Sequence, residues 1–108
     1  MLDVQLQPES LQAALSAGEE VVLLDVREAH EVEFVALPGI VHIPLGQLMG
    51  RAERELDPEA HIVCICHHGI RSMQATMFLR SRDFDRVQTL VGGMDLWSQR
   101  VDPSLPRY

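Results

Sequence analysis

One stretch of the chain joins an apolar run, a cysteine and the start of a helix, and it constrains the fold most. Residues 62–65 read Ile-Val-Cys-Ile, a short apolar run typical of a strand that is covered on both faces. The run leads into Cys66, and a loop containing a glycine separates this cysteine from a helical pattern that begins near Arg71. The stretch therefore predicts a strand that delivers a thiol to a tight turn at a helix N-terminus.

A thiol in this position is expected to be unusually reactive. The free N–H groups of the first helical turn and the helix dipole both stabilise negative charge there. Arg71 adds a fixed positive charge within the same loop. Because the thiolate is the nucleophilic form of cysteine, we expect Cys66 to be acidic, nucleophilic and partly exposed.

Apolar runs and helical patterns alternate along the whole chain. Strands are predicted at 4–6, 21–24, 41–43, 62–66 and 87–91, and helices near 8–18, 29–34, 45–56, 71–82 and 94–99. This alternation predicts an α/β fold with a parallel or mostly parallel sheet and helices on both faces, formed by a single domain over 1–108. Because ligands of such sheets bind at the carboxyl ends of the strands, Asp25, Cys66 and Gly92 are predicted to share one rim.

The composition argues against several classes of protein. Sixteen acidic residues against nine basic ones give a net charge of −7, which leaves no basic face for nucleic acid. All nine basic residues are Arg, so Schiff-base chemistry and a Walker-type phosphate loop, which both need Lys, are excluded. No apolar run approaches the roughly 20 residues that cross a membrane, and the N-terminus lacks the pattern of a signal peptide. We therefore expect a cytoplasmic protein without a membrane partner.

Two cysteines and two histidines lie close together in the sequence. Cys64 and Cys66 are too near each other in the sequence for a disulfide bond between them to stabilise the fold. Both are therefore expected as free thiols, with Cys64 packed in the core. Zinc binding by these cysteines with His67 and His68 is disfavoured, because four ligands within five residues can hardly surround one tetrahedral ion. No metal site is therefore predicted.

Four motifs resemble the signatures of one family, the single-domain rhodaneses, which are sulfurtransferases. The motifs are Asp25-Val26-Arg27-x-x-x-Glu31, Leu37-Pro38-Gly39-x-x-His42-Ile43-Pro44, Cys66-His67-His68-Gly69-Ile70-Arg71-Ser72 and Gly92-Gly93-x-x-x-Trp97. They occur in the family's order and spacing and cover nearly the whole chain. The chain departs from the family at Val35-Ala36, where Gly-His is often found.

The resemblance implies a five-stranded, mostly parallel sheet flanked by helices, and a Cys66 that cycles between thiolate and persulfide. A donor such as thiosulfate would leave its outer sulfur on Cys66, and cyanide or a thiol would then accept it. The implied partners are thus a small anionic sulfur donor and a thiophilic acceptor, with a protein sulfur carrier as a further candidate. The resemblance implies no metal or organic cofactor.

The loop after Cys66 supplies the candidate substrate-binding residues. They are His67, His68, Gly69, Ile70, Arg71 and Ser72. Their N–H groups can converge on a negative sulfur as a nest, and the tight curl this requires suits the conformational freedom of Gly69. We expect Arg71, aided by protonated histidines, to attract an anionic donor, and Ser72 to cap the helix through its hydroxyl. At the end of an earlier strand, Asp25 and Arg27 are expected to form a structural ion pair or loop hydrogen bond.

Three alternatives stay open beside this hypothesis. His67 and His68 could be solvated loop residues without a special role. A Cys-dependent phosphatase also holds an anion over a thiolate, but the related phosphatases place Arg six residues after Cys, and Arg71 is five after Cys66. The shorter loop suits a sulfur atom better than a phosphate. The third alternative is a non-catalytic module that binds a persulfide carrier or a regulatory protein, against which the intact Cys66 loop argues.

Overall fold

Five parallel strands form the centre of the computed structural model, which describes residues 2–108. They are β1 (Gln5–Leu6), β2 (Val22–Asp25), β3 (Val41–His42), β4 (Ile62–Ile65) and β5 (Val87–Leu90). The strand order is β1-β5-β4-β2-β3, and every neighbouring pair is parallel. The predicted parallel α/β fold is confirmed, with strand ends shifted by at most one residue.

Helices connect the strands as the sequence predicts. They are α1 (Pro8–Ser16), α2 (Ala29–Phe34), α3 (Leu48–Glu55), α4 (Ile70–Ser81) and α5 (Gly93–Arg100), and a 3₁₀ turn (Leu45–Gln47) precedes α3. Among the described residues, no helix combines the length and the apolar character that crossing a lipid bilayer requires. The helix that follows Cys66 begins at Ile70, one residue before the predicted start.

Strand β4 separates two apolar cores, one on each face of the sheet. Its side chains alternate, so that Ile62 and Cys64 pack with α3 and α4, whereas Val63 and Ile65 pack with α1 and α5. The Cys64 thiol is free and fully buried, as expected, and this burial raises its pKa to about 12. The second core also holds Trp97, which is therefore a packing residue.

The predicted rim is present at the carboxyl edge of the sheet. Asp25 is the last residue of β2, and Cys66 directly follows β4. The backbone N–H groups of Met94 and Asp95, in the first turn of α5, donate to the carbonyl oxygens of Cys66 and His67 at 2.8 and 3.1 Å. The start of α5 is therefore tied to the loop that carries the cysteine.

Candidate active site

The loop after β4 folds around the sulfur of Cys66. The backbone N–H groups of Gly69 and Ser72 donate to its Sγ at N···S distances of 3.0 and 3.3 Å. Gly69 has a φ of +110°, which residues with a side chain rarely adopt, and it forms the N-cap of α4. Two of the main-chain amides predicted around the sulfur therefore point at Sγ itself.

The predicted partial exposure of Cys66 is wrong. Only 1% of its surface is accessible, because the two-residue alternation of β4 continues through this residue. Its side chain therefore points into the same core as Cys64 and lies against the first turn of α4. The thiol is therefore covered by the residues around it.

The prediction that Ser72 caps the helix is also wrong. Gly69 occupies the N-cap, and Ser72 lies three residues further along, inside the first turn. Its Oγ lies 3.3 Å from the Cys66 Sγ and 2.6 Å from Oγ1 of Thr89 in β5, a residue that the sequence did not single out. Because a hydroxyl both donates and accepts, Ser72 can accept a hydrogen bond from the thiol or donate one to the thiolate.

Arg71 is paired with Glu31, a contact that the sequence analysis does not predict. Its Nη1 and Nη2 donate to Oε1 and Oε2 of Glu31 at 2.6 and 2.9 Å, a bidentate ion pair. Glu31 lies in α2, where its Oε1 also accepts the backbone N–H of Glu28 at 3.1 Å. The Arg71 guanidinium holds the pKa of the Glu31 carboxyl well below its ordinary value, and Glu31 raises the pKa of Arg71. Both groups are therefore charged at neutral pH.

Tyr108 packs against the same cluster, although the sequence around it looks irregular. Its hydroxyl donates to Oε2 of Glu31 at 2.7 Å and accepts from Nη1 of Arg27 at 3.0 Å. Its ring stacks on that of His67, with centroids 3.8 Å apart, and the His67 ring lies 3.9 Å from that of His68. Burial raises the pKa of Tyr108, so its hydroxyl keeps its proton at neutral pH.

Asp25 and Arg27 form the expected ion pair at the end of β2, and both side chains are fully buried. Nε and Nη2 of Arg27 donate to the Asp25 carboxylate at 2.9 and 2.7 Å. Nη2 also donates to the carbonyl oxygen of Val35 at 2.7 Å. Burial alone would lower the pKa of Arg27, but its bonds to Asp25 and Tyr108 leave that pKa raised. The pair therefore fixes the segment around α2 beneath the cysteine loop.

The remaining loop residues lie at the outer edge of the site. His68 is exposed, with Nδ1 3.9 Å from Oδ2 of Asp95, and Ile70 is 75% exposed. Within residues 2–108, no three or more His, Cys, Asp or Glu side chains are grouped so that they could hold a metal ion. The hydrogen bonds to Sγ thus come from Gly69 and Ser72. The other loop residues, His67, His68, Ile70 and Arg71, lie next to these two in the sequence.

Together, the fold and the loop define an α/β domain whose cysteine lies at the carboxyl edge of a parallel sheet. The sequence profile of the Rhodanese-like domain matches residues 7–100, and the chain belongs to this family. The putative sulfurtransferase YtwF of Bacillus subtilis (strain 168) is 34% identical over 99 residues, which cover 92% of this chain and 94% of that protein.

Two further similarities come from a longer protein and from a solved structure. The putative sulfur carrier protein YrkF of B. subtilis is 37% identical over 94 residues, or 87% of this chain and 50% of that protein. A crystal structure of a rhodanese-related protein from Thermoplasma volcanium matches with a TM-score of 0.81 at 25% identity, covering 96% of each chain. The chain spans half or less of the length of several curated relatives that it matches.

Proposed function

We propose that the chain is a sulfurtransferase that carries sulfane sulfur as a persulfide on Cys66. It would take the sulfur from a donor such as thiosulfate and pass it to cyanide or a thiol. The convergence of two backbone N–H groups on Sγ carries this proposal, because it stabilises negative charge on that atom. Membership of the rhodanese-like family and the likeness to a putative sulfurtransferase support it.

The first half of the reaction loads Cys66. Its thiolate attacks the outer sulfur of thiosulfate, the S–S bond of the donor breaks, and sulfite leaves with the electron pair. The total charge is −3 before and after this step, and the product is Cys66–S–S⁻. The N–H groups of Gly69 and Ser72 favour the attacking thiolate, and the Ser72 hydroxyl, 3.3 Å from Sγ, is placed to donate a third hydrogen bond.

The second half unloads the terminal sulfur. An acceptor such as cyanide attacks that sulfur, the persulfide S–S bond breaks, and the Cys66 thiolate leaves with the electron pair while thiocyanate forms. The backbone N–H groups that point at Sγ also stabilise the negative charge of the thiolate as it leaves. The same amides therefore assist both halves of the cycle, which suits a group that is loaded and unloaded in turn.

Acceptors other than small nucleophiles also fit this chemistry. The exposed Ile70 side chain begins α4 beside the cysteine loop, so a protein acceptor can contact the edge of the loop at this residue. A relative is described as a putative sulfur carrier protein. A protein sulfur carrier is therefore included among the proposed partners of Cys66.

The burial of Cys66 favours one competing function. A thiol that is 1% accessible fits a module that binds a persulfide carrier or a regulatory protein without turnover. This module and the sulfurtransferase make opposite predictions for covalent loading of the cysteine. They can therefore be separated by measuring the mass of the protein.

The experiment treats the wild type, Cys66→Ser and Cys64→Ser with thiosulfate and, separately, with an alkyl hydropersulfide. Loading adds one sulfur atom, about 32 Da, to the intact protein. We expect this gain in the wild type and in Cys64→Ser with at least one donor, its loss on adding cyanide, and no gain in Cys66→Ser. A wild type that gains no sulfur from either donor would overturn the proposal and favour the binding module. Hydrolysis of an aryl phosphate without any sulfur loading would favour the phosphatase instead.

A further inference from the structure

Both arginines next to the cysteine loop are neutralised by carboxylates of the chain itself. Arg27 is fully buried on Asp25, and Arg71 is held by Glu31 through two hydrogen bonds. The guanidinium that the sequence offers as an anion-binding group is therefore already occupied. An anionic donor that approaches Cys66 meets an ion pair at Arg71 instead of a free positive charge.

Glu31 is held firmly in this arrangement. Besides the two bonds from Arg71, it accepts the Tyr108 hydroxyl at 2.7 Å and the Glu28 N–H at 3.1 Å. Only 8% of its surface is accessible. A carboxylate with this many donors, in the first turn of α2, is not easily displaced by a small anion from solution.

The rest of the approach offers a small anion little attraction. Phe34 and Ile70 are 53% and 75% exposed beside the site, and both are apolar. His68 and Arg107 both face the carboxylate of Asp95, so neither offers a free positive charge, and the chain as a whole carries a net charge of −7. A doubly charged donor would therefore be repelled, whereas a donor of low charge would not.

We propose that Glu31 is a specificity-determining residue, which selects against dianionic sulfur donors by occupying Arg71 and thereby favours hydropersulfides of low charge. This inference rests on the proposed function of Cys66. In the favoured reaction the Cys66 thiolate attacks the outer sulfur of R–S–SH, the donor S–S bond breaks, and RS⁻ leaves with the electron pair. The proton stays on the terminal sulfur of Cys66–S–SH, so one negative charge is present before and after the step.

Glu31→Gln tests this role with little disturbance to the fold. Glutamine at the same position can still complete the capping box through its one carbonyl oxygen, but its NH2 group cannot accept the Tyr108 hydroxyl and it does not neutralise Arg71. The readout is kcat/KM for thiosulfate divided by kcat/KM for the hydropersulfide of N-acetylcysteine methyl ester. We expect Glu31→Gln to raise this ratio about tenfold or more, mainly through a lower KM for thiosulfate, as one freed charge-assisted contact implies.

Glu33→Gln is the matched control. It removes the same charge from the same helix, but Glu33 is exposed on the surface of α2. We expect it to change the donor ratio less than about twofold, since exposed charges are strongly screened. A ratio that is unchanged or lowered in Glu31→Gln, or raised equally in both variants, would overturn the role of Glu31.

A binding measurement separates this inference from the proposed function. Titration calorimetry with thiosulfate compares Cys66→Ser with Cys66→Ser/Glu31→Gln, in which no sulfur can be transferred. We expect at least about tenfold tighter binding to the double variant, and equal affinities would refute the inference. If instead the wild type takes up sulfur from neither donor while the binding difference is present, the proposed function fails and the selection by Glu31 stands.

Discussion

A methyl group on Gly93 would lie 2.3 Å from the carbonyl oxygen of Cys66. Gly93 has a φ of +56°, a conformation that favours glycine, and it begins α5. The helix approaches the cysteine loop so closely because its first N–H groups bind the carbonyls of Cys66 and His67. The second glycine of the Gly92-Gly93 motif is therefore needed for the close approach of α5 to the cysteine loop as well as for the turn.

Gly93→Ala is expected to lower the free energy of unfolding by about 1–3 kcal/mol, the usual cost of overpacking. Loading of Cys66 should fall with it, because the added methyl group must displace the loop. Urea denaturation and the sulfur mass gain measure the two effects. Gly50→Ala, in α3, is the control: no atom lies within 4 Å of its added methyl group. It should keep full loading and be as stable as the wild type or more so; a Gly93→Ala variant that behaves the same way would contradict the prediction.

Removal of the Tyr108 ring is expected to expose Cys66. The ring stacks on His67, the neighbour of Cys66, and its hydroxyl is bonded to Glu31 and Arg27. A stacked pair contributes about 0.5–1.5 kcal/mol, so Tyr108→Ala should speed alkylation of Cys66 by iodoacetamide roughly 2–10-fold. Peptide mass mapping follows the label.

Two controls accompany the Tyr108 measurement. Tyr108→Phe keeps the stacked ring and should give a rate between those of the wild type and Tyr108→Ala. Cys64 should stay unlabelled in every folded variant at pH 8, because its burial raises its pKa to about 12. Equal alkylation rates for the wild type and Tyr108→Ala would show that the ring does not limit access.

The ion pair between Glu31 and Arg71 should make the free energy of unfolding depend on pH in the acidic range. Hydrogen bonds from Arg71 lower the pKa of Glu31 in the folded state below its ordinary value of 4.5. The unfolded chain therefore takes up its proton first, and the stabilisation is fully present above pH 4.5 and is lost as the pH falls below it. We expect the stability difference between the wild type and Glu31→Gln to begin to shrink near pH 5 and to continue to shrink as the pH falls towards the folded-state pKa, so that it is smaller at pH 3 than at pH 5.

Urea midpoints at several pH values measure this dependence. Other carboxylates titrate in both proteins, so only the difference between them is diagnostic. Glu33→Gln should run parallel to the wild type, because its carboxylate is exposed. A difference between the wild type and Glu31→Gln that stays constant down to pH 3 would contradict the expected pairing.

Replacement of Arg27 should destabilise the fold strongly. Arg27→Met leaves the Asp25 carboxylate fully buried without its partner, and loss of one member of a buried pair costs about 3–5 kcal/mol. Arg51→Met breaks the exposed pair with Glu55 in α3 and should leave the urea midpoint essentially unchanged. Similar midpoints for the two variants would mean that the buried pair contributes little.

Features that depend on near neighbours could be predicted from the sequence. The apolar run before Cys66 identifies a central strand, and the loop needs the positive φ that Gly69 adopts. Asp25 and Arg27 are two residues apart, so their pairing at a strand end follows from local chemistry. These features share one property, namely that all the atoms involved belong to a short segment.

Contacts between distant segments could not be predicted in this way. Arg71 and the Tyr108 hydroxyl both bind Glu31 in α2. Glu31 is 40 residues from Arg71 and 77 residues from Tyr108 in the sequence. The motif Asp25-Val26-Arg27-x-x-x-Glu31 marks this glutamate, but nothing in the local pattern indicates that its partner is Arg71. The burial of Cys66 was missed for a related reason: the loop indicates where the thiol lies, but the pleat of β4 and the packing of α4 decide how far it is covered.

The central position of β4 has a consequence for how the site can move. Its neighbours β2 and β5 hold it on both sides, and the Met94 N–H binds the Cys66 carbonyl at 2.8 Å. The backbone that leads to Cys66 is thus held by strands on both sides and by α5, and we expect amide hydrogens there to exchange with solvent only on global unfolding. Access to the sulfur then depends on rotamer changes of the side chains that cover it, which occur far faster than any rearrangement of the main chain.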